Sequence, residues 1–243
     1  MDLTIIGAGA MGLALAKGLR REHNIEFLVR DISKYEQLRD EYIINSIDGF
    51  DISERAIILA VKPYGLSSVA SKVVGEADVI YSVLAGTSID TLKSSLISKY
   101  YVRAMPNISA KFQSSTTVIT GDIERRDSAI SLLSLIGDTF WVDSEKEIDI
   151  ATAVAGSGPA LLALVAEAMG DGLVREGMKR SDAMAITSSL FKGFHPLIAD
   201  SHPALIKDSV MSPAGTTARA YYALEDEGVR GAFIRAIEEA NRF

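Results

Sequence analysis

Three closely spaced glycines are the first residues in the chain whose pattern implies chemistry. Gly7, Gly9 and Gly12 stand in the run Gly7-Ala8-Gly9-Ala10-Met11-Gly12, directly after an apolar stretch at residues 3–6. That order, strand then glycine turn then helix, is the fingerprint of a dinucleotide site. Gly7 permits a tight turn, Gly9 lets the backbone come up to a pyrophosphate, and Gly12 lets helix and sheet pack closely. The free N–H groups at Ala10 and Met11 and the positive end of the helix dipole then face the phosphates. The motif alone is weak evidence, but a second apolar run begins at Ile25, where the next strand of such a unit belongs.

The end of that second run selects the cofactor. The sequence there is Phe27-Leu28-Val29-Arg30-Asp31, with Lys34 close behind. An acid at this place holds the ribose hydroxyls of NAD, whereas an arginine pairs with the 2′-phosphate of NADP. Arg30 therefore points to NADPH, and Asp31 leaves NADH open. Val61, Lys62 and Pro63 follow another apolar run, and Asn107 follows a third in Met105-Pro106-Asn107. Ligands bind at the carboxyl ends of strands in open α/β sheets, so these four residues are candidate cofactor contacts.

A second chemical pattern lies far along the chain, in Ser212-Pro213-Ala214-Gly215-Thr216-Thr217. Pro213 and Gly215 interrupt a helix, and the threonines precede a new helical run at residues 218–226. Hydroxyls and free N–H groups at a helix start make a carboxylate site. The same residues could instead only cap the helix.

The elements that must position these groups divide into two parts. Apolar runs at residues 3–6, 25–29, 56–61, 78–84 and 101–104 read as strands. They alternate with helical patterns at 11–21, 33–41, 65–75 and 88–98, which implies βαβ units and a mostly parallel sheet. The strand runs are apolar at successive positions, as strands covered on both faces must be. Further strands at 116–120 and 139–142 flank a helix near 124–136. From about residue 147 onward the pattern is helical throughout, broken at Gly156-Ser157-Gly158-Pro159, at 177–181, at 201–203 and at 212–215. The fold expected is α/β: an N-terminal Rossmann doubly wound sheet at residues 1–145, then an all-α domain at 146–243. Residues 160–169 are apolar nearly all round, so this helix is expected to be buried at a subunit interface.

Composition limits the partners. The chain has 243 residues, a formal net charge of −7 and no cysteine. A negative chain without basic blocks is a poor partner for nucleic acid or an anionic membrane. Without cysteine there are no disulfides, which suits a cytoplasmic protein. The three histidines, His23, His195 and His202, lack metal-ligand spacing, and no metal is expected. No secretory signal and no apolar run of membrane-spanning length are expected.

Further segments join these patterns: Ala60-Val61-Lys62-Pro63, Ala85-Gly86-Thr87-Ser88-Ile89, Arg103-Ala104-Met105-Pro106-Asn107, Ala155-Gly156-Ser157-Gly158-Pro159-Ala160 and Lys207-Asp208-Ser209-Val210-Met211-Ser212. In order and spacing the set resembles the Δ1-pyrroline-5-carboxylate reductase family, with Ser212-Pro213-Ala214-Gly215-Thr216-Thr217 as its most specific signature. The resemblance covers essentially the whole chain. It implies a helical domain that binds substrate and forms an intertwined homodimer, with larger assemblies of dimers known in the family. It implies hydride transfer from NAD(P)H to the C=N carbon of the cyclic imine, giving L-proline. It also assigns the substrate carboxylate to the loop of Ser212, Gly215, Thr216 and Thr217, with the Thr217 hydroxyl reaching the ring nitrogen. Asp200, where the family often has glutamate, is a second catalytic candidate that could stabilise an iminium cation if it points inward; the alternative is an exposed aspartate at a helix end. Ala214 stands where the family commonly has glycine.

Two rival functions share this plan. A β-hydroxyacid dehydrogenase usually employs a lysine on the first long helix of the second domain, and residues 160–169 contain none. A non-enzymatic NADP-binding regulator would keep the fold and lose turnover.

Overall fold

In the computed structural model, which describes residues 2–242, a twisted sheet is followed by a set of helices. The strands are β1 (Asp2–Ile6), β2 (Asn24–Val29), β3 (Ile43–Ser46), β4 (Phe50–Asp51), β5 (Ala56–Leu59), β6 (Val73–Val74), β7 (Ala77–Ser82), β8 (Ser98–Met105), β9 (Ser115–Gly121) and β10 (Gly137–Trp141). Eight of them form one sheet in the order β10-β9-β8-β7-β5-β1-β2-β3, while β4 and β6 pair separately. Every pairing in the large sheet is parallel except β8 with β9. The chain runs from β1 outward through β2 and β3, then returns to the other side of β1 with β5. This reversal between β1 and β5 is the crevice where doubly wound sheets bind ligands.

The apolar strand runs have a direct reading. Leu3, Ile5, Phe27 and Ile58 fill a core on one face of the sheet, together with Leu15 and Leu19 of α1 (Ala10–Leu19). Ile6, Leu28, Ile57 and Leu59 fill a second core on the other face. Successive residues of a strand point to opposite faces, so covering both faces requires unbroken apolar runs. Smaller helices α2 (Leu66–Ala70), α3 (Ile89–Ser95) and α4 (Arg126–Leu133) complete the layers.

The structure departs from the periodicity in several places. The helix expected at 33–41 is a run of 3₁₀ turns, Ile32–Leu38, with non-helical dihedrals at Tyr35. The expected helix at 65–75 is only α2, and Val73–Val74 leaves it to pair with β4. The short edge strand β3 carries polar Asn45 and Ser46 and lacks an apolar run, so the sequence pattern passes over it.

A buried cation fastens the first long helix to the sheet. Arg103, in β8, is 2% exposed. Its Nη1 donates to Glu145 Oε1 at 2.9 Å and its Nη2 to Asp149 Oδ1 at 2.8 Å. Both acids lie on α5 (Glu145–Ala155), one turn apart, and Glu145 Oε1 also accepts the Ile89 N–H that opens α3, at 2.9 Å. Ile148 and Ala155 of the same helix pack on Met105 and Val118. By its contacts, α5 therefore belongs to a compact unit that runs up to Ser157, and Gly158–Arg242 forms the second.

The second unit contains α6 (Gly158–Arg175), α7 (Arg180–Asp200), α8 (Pro203–Val210), α9 (Thr216–Asp226) and α10 (Val229–Ala240). Helix α6 packs on α7 at Gly170, where a Cβ would stand 2.6 Å from Met184 Sδ. The expectation of no membrane-length apolar run is corrected. The stretch Glu145–Arg175 qualifies by length and composition, with a mean hydropathy of 1.7 in its most apolar window. Its cause is visible in the packing: the α5 part lies against the sheet, turns at Gly156 and Ser157 interrupt it, and Leu162 and Leu164 face outward from α6.

Replacing Arg103 with Met leaves two carboxylates against an apolar sheet. Glu145 and Asp149 are 35% and 36% exposed, so water offsets part of the penalty. Arg103→Met is expected to lower stability by about 2 kcal/mol, with Arg103→Lys recovering part of it. Urea unfolding midpoints measure this, and equal midpoints for wild type and Arg103→Met would refute the fastening role.

Candidate functional site

The crevice between β1 and β5 opens into a cavity of about 720 Å³. Its wall includes Gly7, Gly9, Ala10, Met11, Arg30, Val61, Lys62, Pro63 and Asn107, nine of the ten residues that the sequence assigns to the cofactor. The tenth, Gly12, supports that wall from behind. A Cβ at Gly12 would lie 2.0 Å from the Gly7 carbonyl oxygen. Gly7 itself has φ +107°, and a Cβ there would lie 2.8 Å from the Ala60 carbonyl oxygen. The end of β1, the end of β5 and the start of α1 thus meet at contact distance, which excludes any side chain. Gly9 is different, because among the described residues nothing lies within 4 Å of its Cβ position. Its surface faces open space.

The start of α1 has the chemistry of an anion site. Gly9 is its N-cap, with no side-chain hydrogen bond to the leading N–H groups and no acid in the first turn. Helices α3 and α5 begin otherwise: Ser88 and Ser144 accept from Thr91 N–H and Glu147 N–H, and acids follow in the first turn. A helix start without either partner keeps its donors and its positive dipole end for an external anion.

At the end of β2 the two opposite charges separate. Arg30 lines the cavity. Asp31 caps the following 3₁₀ turn, accepting from Ser33 N–H at 3.2 Å and from Ser33 Oγ at 2.6 Å. The Ser33 hydroxyl bond, assisted by Lys34, holds the Asp31 carboxyl below the usual carboxylate range.

Asn107 is buried at the cavity wall, and its polar atoms are engaged. Its Nδ2 donates to Ala155 O at 2.9 Å, its Oδ1 accepts Ser109 N–H at 3.0 Å, and its own N–H donates to Ser115 Oγ at 3.0 Å. It therefore ties the loop after β8 to the last turn of α5. Tyr35, Lys72, Thr152 and Ser157 also line the cavity. Ser157 lies in the quoted Gly156-Ser157-Gly158-Pro159 run. The others carried no motif and reach the wall through packing alone.

The second group of candidate residues lies in the helical unit. Ala214 has φ +57°, a left-handed conformation that favours glycine. Gly215 N–H donates to Ser212 O at 2.9 Å, closing the turn before α9. Gly215 is the N-cap of α9, again without a side-chain cap and without an acid in the first turn. Thr216 and Thr217 lie inside that first turn, so neither caps the helix. Ser212 Oγ lies 2.4 Å from the Cβ position of Gly215, which explains a glycine there. Asp200 is the last residue of α7 and is exposed, with Ser201 Oγ donating to its Oδ2 at 3.2 Å. Its negative charge sits at the negative end of a helix dipole, an arrangement that a nearby cation relieves. His202 has a structural duty, since its Nδ1 accepts Ala204 N–H at 3.2 Å at the start of α8.

Comparison with known proteins covers both units. Residues 145–242 match the family model for pyrroline-5-carboxylate reductase dimerisation. Residues 2–86 match a model described as NADP oxidoreductase, coenzyme F420-dependent. The chain is 32% identical to a pyrroline-5-carboxylate reductase of Helicobacter pylori, covering 98% of this chain and 96% of that one. A pyrroline-5-carboxylate reductase of Thermus thermophilus is likewise 32% identical, over 100% of this chain and 97% of the relative. The crystal structure of Plasmodium falciparum pyrroline carboxylate reductase with NADP bound superposes with a TM-score of 0.84 at 25% identity, covering 99% and 97% of the two chains. Identity at this level, sustained from the glycine turn to the last helix, is that of kin rather than of a shared fold alone: the chain belongs to the pyrroline-5-carboxylate reductase family.

Proposed function

We propose that this chain reduces 1-pyrroline-5-carboxylate to L-proline, the last step of proline biosynthesis, with NADPH as the reductant. The observation that carries the reading is the bare start of α1, whose unpartnered donors share one cavity with Arg30. A dinucleotide bearing a 2′-phosphate fits this wall. Gly9 leaves room for a pyrophosphate against the backbone, and the guanidinium of Arg30 complements the extra phosphate. Val61, Lys62 and Pro63 form the adjoining wall, largely through backbone. NADPH supplies the hydride when bound.

The chain's own task is to present the imine. The compact unit that runs to Ser157, past the expected boundary at residue 145, holds the dinucleotide, and the helical unit from Gly158 onward binds substrate and joins two copies. The donors at the start of α9, from Gly215, Thr216 and Thr217 with Ser212 behind them, hold the substrate carboxylate. The Thr217 hydroxyl meets the ring nitrogen. Protonation of that nitrogen makes the C=N carbon the stronger electrophile, and a substrate that arrives protonated requires no dedicated strong acid. Asp200 stabilises the iminium charge. The ring carbon gains the hydride and the protonated nitrogen becomes the amine of proline. Catalysis then comes from orientation more than from a titrating side chain. Helix α6 contains no lysine, unlike the corresponding helix expected in a β-hydroxyacid dehydrogenase.

The protein is proposed to be a cytoplasmic homodimer. Leu162 and Leu164 of α6 and Leu190 and Phe194 of α7 are each more than 40% exposed in the single chain. Such an area of apolar surface requires a cover, and a second copy supplies it.

Absorbance at 340 nm tests the activity: NADPH oxidation that depends on pyrroline-5-carboxylate and yields proline supports it. Dinucleotide binding without turnover would favour the regulator. Thr217→Ala is expected to raise the substrate KM by about tenfold while the NADPH dissociation constant stays near wild type. Full activity in that variant would remove Thr217 from the site. Arg30→Ala is expected to weaken NADPH about tenfold more than NADH, and equal losses for the two would refute the phosphate contact. A Leu162→Asp, Leu164→Asp double variant is expected to sediment as a monomer with activity lost. A dimer that survives both changes would place the interface elsewhere.

A further inference from the structure

The end of β2 presents adjacent opposite charges, and the two are engaged differently. Val29 closes the strand, Arg30 lines the cavity, and Asp31 caps the 3₁₀ turn that follows. A carboxylate at this place would normally have two effects. It would accept from the hydroxyls of an adenosine ribose, and it would repel a phosphate esterified there. Local bonding opposes both. Asp31 Oδ1 accepts from Ser33 Oγ at 2.6 Å and Ser33 N–H at 3.2 Å, and Asp31 Oδ2 lies 3.4 Å from Lys34 Nζ. Each carboxylate oxygen therefore has a donor from the next three residues. The Ser33 hydroxyl is bonded to Asp31 and so acts at one remove.

We infer that Ser33 is a specificity-determining residue: by engaging the Asp31 carboxylate it keeps that charge off the ribose edge and leaves Arg30 to select a 2′-phosphorylated dinucleotide. The inference rests on the reading of the cavity as an NADPH site. Ser33 outweighs Lys34 because its hydroxyl bond to Asp31 is short, at 2.6 Å against 3.4 Å for the lysine. The Lys34 side chain is 73% exposed, and salt screens its attraction.

The test uses the full chain and dissociation constants, read by nicotinamide fluorescence with NADPH and with NADH. The informative quantity is the ratio of the NADH constant to the NADPH constant. Ser33→Ala is expected to lower that ratio roughly threefold to tenfold, because Asp31 is released toward the ribose. Ser33→Thr keeps a hydroxyl and is expected to keep the ratio. Asp31→Ala is expected to hold the ratio at or above wild type, and adding Ser33→Ala to it is expected to change nothing more.

Three results would overturn the inference: an unmoved ratio in Ser33→Ala, an equal fall in the Asp31→Ala background, or a wild type that prefers NADH. The second of these would mean that the serine touches the phosphate directly. A wild type that binds neither dinucleotide would instead sink the cavity reading itself, so the two failures remain separable.

Discussion

The whole architecture depends on a close approach of backbone to backbone. Where β1 ends, the Gly7 carbonyl lies so near α1 that Gly12 admits no Cβ, and Gly7 in turn admits none beside Ala60. Two strand ends and a helix start therefore converge on a space that a single methyl group would close. Such convergence sits where the strand order reverses, between the parallel neighbours β1 and β5. It brings the loop of Val61, Lys62 and Pro63 into the same wall as the glycine turn. The two apolar cores on opposite faces fix the strands tightly enough to maintain this distance.

Much of this was legible in the residues, and the exceptions have physical causes. β1, β2, β5 and β7 were readable because burial on both faces demands continuous apolar runs. β3 was not, since an edge strand with Asn45 and Ser46 lacks that demand. The segment Ile32–Leu38 mimics an α-helix in the sequence for a different reason. Ile32, Tyr35 and Leu38 pack on the core at intervals of three, the period of a 3₁₀ turn, which a short window does not separate from an α-helix. In the cavity, motif residues were readable because their backbone roles fix their identities. Tyr35, Lys72 and Thr152 serve by position, and position follows from packing that no local pattern encodes.

Asn107 lines the cavity and is at the same time a structural tie. The sequence places it at a strand end and hence at the cavity wall. Its amide nevertheless bonds Ala155 O and Ser109 N–H, joining the β8 loop to α5. Arg103 fastens the other end of α5 through Glu145 and Asp149. Helix α5 is thus held near both of its termini, and the residues it contributes to the wall, among them Thr152, inherit that rigidity.

The uncapped start of α1 carries a thermodynamic corollary. An anion that seats on those donors binds the folded chain and has no comparable site on the unfolded one. Folding and occupancy are therefore linked by mass action: a ligand at a hundred times its dissociation constant adds about 2.7 kcal/mol to the folded state. With a dinucleotide as that anion, resistance to heat and proteolysis would follow its concentration, and a drained pool would leave the chain open to turnover.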